Sequence, residues 1–342
     1  MRPCSYVQIF PLLIYQAPWA TNAPREAFEA RAAMCADIRA FFLGLDVLEV
    51  ETPLLCQRTV TDPMLSGFRT EYALTEGRGS TPLYLQTSPE FAMKRLLASG
   101  MGSIFQISKA FRNGEVGRHH NPEFTLLEWY RVGFDLHDLQ EEVASLIRRL
   151  AAIFGFSMSV EYVTYLEAFQ KYLDLHPLDD SLSDMSALAA SRGLGDAEAI
   201  CGDDRGYWLD FLFSCLIQPR LKSNCLTMVS RYPAILPSLA KKSADDERWV
   251  ERVELFMGGI ELGNGFHELT DPIEQEARFR VDLAARARLG MTLPEIDDRL
   301  IDALTFGLPD CSGIAIGLDR LLMVLMGVKS IEEVLAFSFE RA

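Results

Sequence analysis

The sequence predicts an α+β protein built on a mainly antiparallel sheet flanked by helices. Three observations lead there. Strand-like segments alternate with insertions of uneven length rather than with regular crossover helices. One stretch, "FRNGEVGRHHNPEFTLLEWYR" at 111–131, reads as strand, polar loop, strand. No G-x-G-x-x-G opens a helix, which argues against a dinucleotide-binding parallel sheet.

The elements follow in order. From Pro24, Phe28, Cys35, Ile38 and Phe42 recur at helical spacing, with a proline suited to the first turn and an end near Gly44. "VLEVETP" is a short strand halted by Pro53. "PLYLQTSPE" and "SIFQISKAF" are strands around a helix carrying Met93, Leu96 and Leu97. Residues 136–220 are mostly helical in pattern, with a surface loop at "LGDAEAICGDDRG". "LTMVSRYP" and "VERVELFMGGIELGNGFHEL" return to strand character. A helix over 272–289 carries Glu and Arg at i, i+4 spacing, and "SGIAIGLDRLLMVLMG" closes the core as a strand running into a helix.

Composition narrows the function classes. With 342 residues, 49% of them apolar, the chain can bury a substantial core. A formal charge of -15 speaks against a surface that releases counterions from a long nucleic acid. Seven cysteines without a C-x-x-C pair fit a reducing cytoplasm better than a disulfide framework or zinc ribbon. The opening "MRPCSYVQIFPLLIYQAPWA" resembles a secretory signal only faintly, because Gln8, Pro11 and Gln16 interrupt its apolar run. No stretch approaches the ~18 uninterrupted apolar residues of a membrane span.

No G-x-x-x-x-G-K-[ST] is present, so a bound nucleotide would need arginines and a metal for its phosphates. Arg112, Arg118 and Arg320 are candidates, with Glu261 and Glu268 able to offer oxygen to a hard divalent cation. On a regular strand those two glutamates fall on opposite faces, so convergence needs a kink. From spacing alone a solvated strand edge fits them equally well. His119 and His120 lack further ligands at zinc spacing, and Phe124 alone would be core. Glu128 and Tyr130 share a strand face suited to an ammonium ion, although a structural salt bridge uses the same pattern. No Ser/His/Asp or Cys/His set supports covalent catalysis.

Taken together, these segments resemble the catalytic core of class II aminoacyl-tRNA synthetases, in particular the lysyl branch. "VLEVETPLL" is similar to motif 1, "FRNGEVGRHHNPEFTLLEWYR" to motif 2, and "GIAIGLDRLLMV" to motif 3. "TSPE" and "GIELGNGFHELTD" are similar to the amino-acid and metal segments. The likeness runs from about Pro24, so residues 1–23 are read as an N-terminal extension, expected to be flexible, and 24–342 as one catalytic domain. An anticodon-binding OB domain, which would need more than about 50 residues, is not expected ahead of it. In that respect, and in "LPDCSG" and "AFSFERA", the chain resembles the truncated lysyl-tRNA synthetase paralogues that act as ligases on elongation factor P.

The resemblance implies ATP and Mg²⁺ as cofactors, (R)-β-lysine as substrate, and elongation factor P as the protein acceptor, with no tRNA, a cytoplasmic location and a homodimer. By resemblance Arg112 and Arg320 are the catalytic residues. Arg112 would bridge the attacking carboxylate and the α-phosphate, and Arg320 would hold the γ-phosphate end. Asn113, Gly114, Glu115, His120, Asn121, Phe124, Glu261, Leu262 and Gly317 complete the implied ATP site, with adenine between Phe124 and Arg320. Ser88, Pro89, Glu90, Glu128, Tyr130, Asn264, Glu268 and Ala315 are the implied amino-acid site, and Glu261 with Glu268 the metal ligands. Two positions depart from the synthetase pattern. "RNGE" places Gly114 where Glu is usual, which puts the adenine contact in doubt, and Ala315 replaces a glycine, which would favour a substrate whose amino group sits one carbon farther out. Alternatives at this stage are an enzyme acting on tRNA or another acceptor, or a non-catalytic synthetase-like regulatory protein.

Overall fold

The computed structural model describes residues 19–73, 79–236 and 238–342. Its centre is an eight-stranded sheet in the order β1-β5-β6-β11-β10-β9-β8-β7. The strands are β1 (Leu48–Glu49), β5 (Ile104–Phe111), β6 (Glu123–Val132), β7 (Ser159–Thr164), β8 (Cys225–Pro233), β9 (Trp249–Met257), β10 (Ile260–His267) and β11 (Cys311–Gly317). Only the outer pairs β1·β5 and β7·β8 are parallel, so the expectation of a mainly antiparallel sheet holds. A smaller sheet joins β2 (Leu55–Cys56), β4 (Ser80–Leu85) and β3 (Arg69–Ala73).

Helix α1 (Arg25–Leu43) starts after Pro24 and ends at Gly44, as its pattern predicts, but buries Met34, Ile38 and Phe42 while Phe28 stays exposed. Together with α3 (Leu136–Ile153) and α10 (Leu318–Met326) it covers one face of the sheet. Phe42, Val143, Ile147, Leu321 and Leu322 pack there against Leu127, Trp129, Ile314 and Ile316 of the strands. The opposite face meets two further clusters. One gathers α2 (Glu90–Ala98), α8 (Pro272–Arg288) and α9 (Asp298–Gly307) through Met93, Leu97, Phe279 and Leu304. The other gathers the α4 (Tyr165–Leu173) to α7 (Arg205–Leu212) segment around Tyr165, Phe169 and Trp208. Between these clusters the sheet stays uncovered.

Several local readings need correction. Strand β7 interrupts the stretch read as helical, and it pairs as an edge strand with β8. The segment read as a surface loop at 194–206 contains a short helix, Ala197–Cys201, whose end residues are buried. Helix α9 went unread, although Asp297 caps its start and Leu300 and Leu304 fall four apart on its buried face. Part of 19–23 is packed: Ala20 and Ala23 are buried, and Arg341 donates to the Ala20 carbonyl at 2.9 Å, while Trp19 is exposed. The rest of the expected extension, 1–18, lies outside the described residues.

Candidate active site

Sheet register builds the site. Gln106, Glu128, Ala315, Asn264 and Glu254 stand side by side across β5, β6, β11, β10 and β9. The next row toward the far end is Ile104, Tyr130, Gly313, Phe266 and Arg252. Residues directly opposite on paired strands share a face, and Glu128, Ala315, Asn264, Tyr130, Gly313, Phe266 and Arg252 of these rows line one cavity floor. The glycines have a steric reason. A Cβ at Gly313 would collide with the Tyr130 ring, and one at Gly265 would meet Ile314 at 2.7 Å.

The kink that the glutamates require is present. A β-bulge falls between Glu261 and Gly263, and it sends Leu262 into the core while Glu261, Asn264, Phe266 and Glu268 face the floor. Two cavities result. One, of about 770 Å³, is lined by Ser88, Glu90, Glu128, Tyr130, Phe266 and Glu268 on its inner side. The other, of about 80 Å³, is lined by Glu115, His120, Asn121, Phe124, Glu261, Leu262, Gly317 and Arg320. Arg112, Asn264 and Ala315 line both. The implied amino-acid residues and the implied nucleotide residues thus separate into two adjoining spaces with Arg112 at the boundary.

Electrostatics in the larger cavity follow from burial. Tyr130 donates to Glu128 Oε1 at 2.7 Å. Burial, reinforced by Glu90, pushes the Glu128 carboxyl up to about 8. Glu128 Oε2 and Asn264 Oδ1 are buried with no hydrogen-bond partner among the described residues, and both face the cavity, where a bound donor would satisfy them. Glu268 is likewise pushed up to about 8 by burial against the opposing pull of Lys94, whose Nζ lies 2.6 Å from Glu268 Oε2.

That contact bears on the metal expectation. Glu268 lines the larger cavity and is paired with Lys94, whereas Glu261 lines the smaller one. The carboxylate that acts on Glu261 is Glu254, and its repulsion adds to burial in raising the Glu261 carboxyl. Glu254 sits opposite Asn264 and accepts from Tyr232 at 2.6 Å and from Arg252. A buried pair of like-charged carboxylates, Glu254 with Glu261, fits a hard divalent cation. Among the described residues no group of three or more His, Cys, Asp or Glu side chains is arranged as a metal site, zinc at His119 and His120 included.

On the nucleotide side the side chains make contacts within the protein. The Phe124 ring carries the guanidinium of Arg112, 5.1 Å from its centroid. Arg320 donates to the carbonyls of His119 and Glu261, both at 3.0 Å. Asn121 is tied to the Glu123 carbonyl and to the amide of Phe339 near the C-terminus, so it holds the loop in place. Gly114 has φ +88°, a conformation side chains disfavour, and Glu115 lies 3.9 Å from Arg112. Asn113 anchors the loop through its amide to Ser66, and Pro89 precedes α2 as its cap.

Sequence reasoning missed Lys94, Arg252, Glu254 and Phe266. Two signals point to them: a charged pair at period two inside the apolar strand "WVERVELFM", and a lysine beside Met93 and Leu97 on the buried face of α2. Among the described residues no helix is long and apolar enough to cross a membrane.

Comparison with known proteins agrees with the geometry. The family model for class II tRNA synthetases (D, K and N) matches residues 17–341. The elongation factor P–(R)-β-lysine ligase of Klebsiella pneumoniae is 44% identical over 326 residues, covering 95% of this chain and 99% of that protein. The protein of the same name from Vibrio cholerae is 46% identical over 324 residues, covering 95% and 98%. That from Salmonella dublin is 44% identical over 326 residues.

Proposed function

The chain belongs to the class II tRNA synthetases of the D, K and N type, and from that premise we propose that it is an ATP-dependent ligase. It activates (R)-β-lysine as an adenylate and transfers the acyl group to the ε-amine of a lysine of elongation factor P. The observation that carries this reading is the pair of adjoining cavities that share Arg112, Asn264 and Ala315.

In the first step a carboxylate oxygen of the amino acid attacks the α-phosphorus of ATP, and the bond to the β-phosphate oxygen breaks to release pyrophosphate. Both reacting groups are anionic, so positioning and charge neutralisation dominate the catalysis. Arg112 stands where the carboxylate from one cavity meets the phosphate from the other. Arg320, pinned by two backbone carbonyls, presents a fixed cation to the phosphate chain. Phe124 offers a ring for adenine, and binding there displaces Arg112 from its present stacking place. Magnesium, brought with ATP, would be held by Glu254 and Glu261 and would neutralise phosphate charge there. Glu128 Oε2, buried without a partner, accepts from a substrate ammonium.

In the second step the acceptor's neutral ε-amine attacks the acyl carbon, and AMP leaves with the bonding pair. The acceptor is a protein rather than tRNA, the enzyme acts in the cytoplasm, and it works as a homodimer. The support for these points is the names of the relatives and the synthetase framework.

The test is ATP–pyrophosphate exchange with (R)-β-lysine and with α-lysine, followed by mass spectrometry of elongation factor P from the same mixture. Exchange favouring the β isomer, with one lysyl mass added to the factor, is the expected result. Exchange that ends in aminoacylated tRNA and leaves the factor unmodified would sink the acceptor assignment.

A further inference from the structure

Lys94 has no role in the chemistry described so far, yet it lies directly behind the amino-acid cavity. Its side chain is 1% exposed, and its ammonium sits 2.7 Å from Glu90 Oε1 and 2.6 Å from Glu268 Oε2. Both carboxylates line the cavity, whereas Lys94 does not. A buried lysine needs one carboxylate to offset its desolvation; this one spans two, drawn from α2 and from the residue after β10.

We propose that Lys94 is a positioning residue, a built-in counter-ion that sets the charge of the amino-acid cavity to match a substrate with two ammonium groups. The inference rests on the proposed function. Glu90, Glu128 and Glu268 carry three negative charges when ionised, and Lys94 returns one positive charge, which leaves two. Tyr130 and Cys311 beside them are neutral acids held so by burial. The other charged groups lining the cavity are engaged among themselves: Glu274 meets Lys242 and Arg278, and Asp282 accepts from Thr61 and lies near Asp62. Arg252 pairs with Glu254, and Arg112 stands at the boundary, where the substrate carboxylate arrives. A diammonium amino acid therefore brings the cluster of Glu90, Glu128, Glu268 and Lys94 to neutrality, and a monoammonium analogue leaves one of its buried carboxylates uncompensated. Lys94 engages Glu90 and Glu268 but not Glu128, whose Oε2 remains the open acceptor.

Chemical rescue separates this role from simple packing. Lys94→Met keeps the bulk of the side chain and removes the charge. We expect it to raise the KM for (R)-β-lysine at least about tenfold in ATP–pyrophosphate exchange while the KM for ATP stays within about twofold. Lys94→Ala leaves room for an added amine. Butylammonium at millimolar concentration is expected to restore amino-acid-dependent exchange in that variant, and butanol, similar in shape but uncharged, is not. Equal rescue by both, or Lys94→Met kinetics equal to the parent's, overturns the proposal. So does the failure of both variants to fold by circular dichroism, which would make Lys94 a structural brace. Absence of exchange in the parent protein would refute the proposed function instead, whatever the variants do.

Discussion

The two faces of the central sheet come from the same strands and could hardly differ more. On β6, Leu127 and Trp129 are buried in the apolar core, while the alternate residues Glu128 and Tyr130 face the cavity. On β11, Ile314 and Ile316 enter the core and Gly313 and Ala315 face the cavity. Side chains alternate strictly along a strand, so one short run of residues specifies a dry layer and a charged floor together. The lesson is a division of labour. The apolar face supplies the burial that holds the strands in register, and this rigidity lets the other face keep carboxylates buried at an energetic cost. Substitutions on the two faces should therefore report through different observables.

The largest effect is expected on the dry face. Trp129→Ala removes a fully buried ring that packs 5.3 Å from Phe42 and donates to Glu142 at 2.9 Å. The expected loss is about 3–5 kcal/mol of unfolding free energy, measured by denaturant titration. A loss below about 1 kcal/mol would show that the dry face does not hold the fold. On the cavity side, Arg320→Ala should leave stability within about 1 kcal/mol and lower exchange by about 10²–10³-fold. Near-normal exchange in that variant would remove Arg320 from the chemistry.

Glu128→Gln sharpens the contrast through pH. The Glu128 carboxyl, ordinarily near 4.5, is pushed up to about 8 by burial and then by Glu90. The folded chain therefore holds this proton more tightly than the unfolded chain. Its stabilising contribution is complete below pH 4.5 and is lost as pH rises toward 8. The glutamine variant cannot titrate there, so its ligand-free Tm should fall less than the parent's between about pH 5 and pH 8. Glu268, also pushed up to about 8, keeps part of the dependence in the variant. Identical slopes for variant and parent would mean that Glu128 is not the buried acid it appears in the structure. At neutral pH the variant should also raise the KM for the amino acid by about tenfold or more, since a charge-assisted contact is lost.

Most of this architecture was legible because it rests on local rules. Alternating strands, the proline and glycine that bound α1, and the polar hairpin at 111–131 all speak through period and turn chemistry. Arg112, Glu115, His120, Asn121, Phe124, Gly317 and Arg320 line one pair of adjoining cavities, and Asn113 and Gly114 line neither. What failed was non-local. Glu254 went unread beside Glu261 although it stands as far before it as Glu268 stands after it, because the nearness of Glu254 depends on the hairpin register and the bulge. The stacking of Arg112 on Phe124 depends on how the motif 2 loop folds back. Strand β7 pairs only with β8, from which it is separated by more than 50 residues of helix and loop, and its short half-buried run carries no period strong enough to stand out.

The smallest change, Ala315→Gly, asks the most of the comparison, because it removes a single methyl from the floor and touches nothing on the dry face. Ala315 stands between Glu128 and Asn264 in the cross-strand row and lines both cavities. On the proposed function, its methyl would lie beside the substrate's first carbons, between the ammonium acceptor Glu128 and Arg112 at the boundary. A substrate with its amino group on the α-carbon carries that group closer to the floor than one with it on the β-carbon. Removing the methyl should favour the α isomer by about 1–3 kcal/mol of transition-state binding, roughly 5- to 150-fold in the ratio of the two kcat/KM values. Stability should drop by no more than about 1 kcal/mol, the backbone cost of glycine in a strand. The ratio measured by exchange with each isomer decides the matter: if it does not move, the methyl is only filler and discrimination lies elsewhere in the cavity, with the charge arrangement around Lys94 the next place to look.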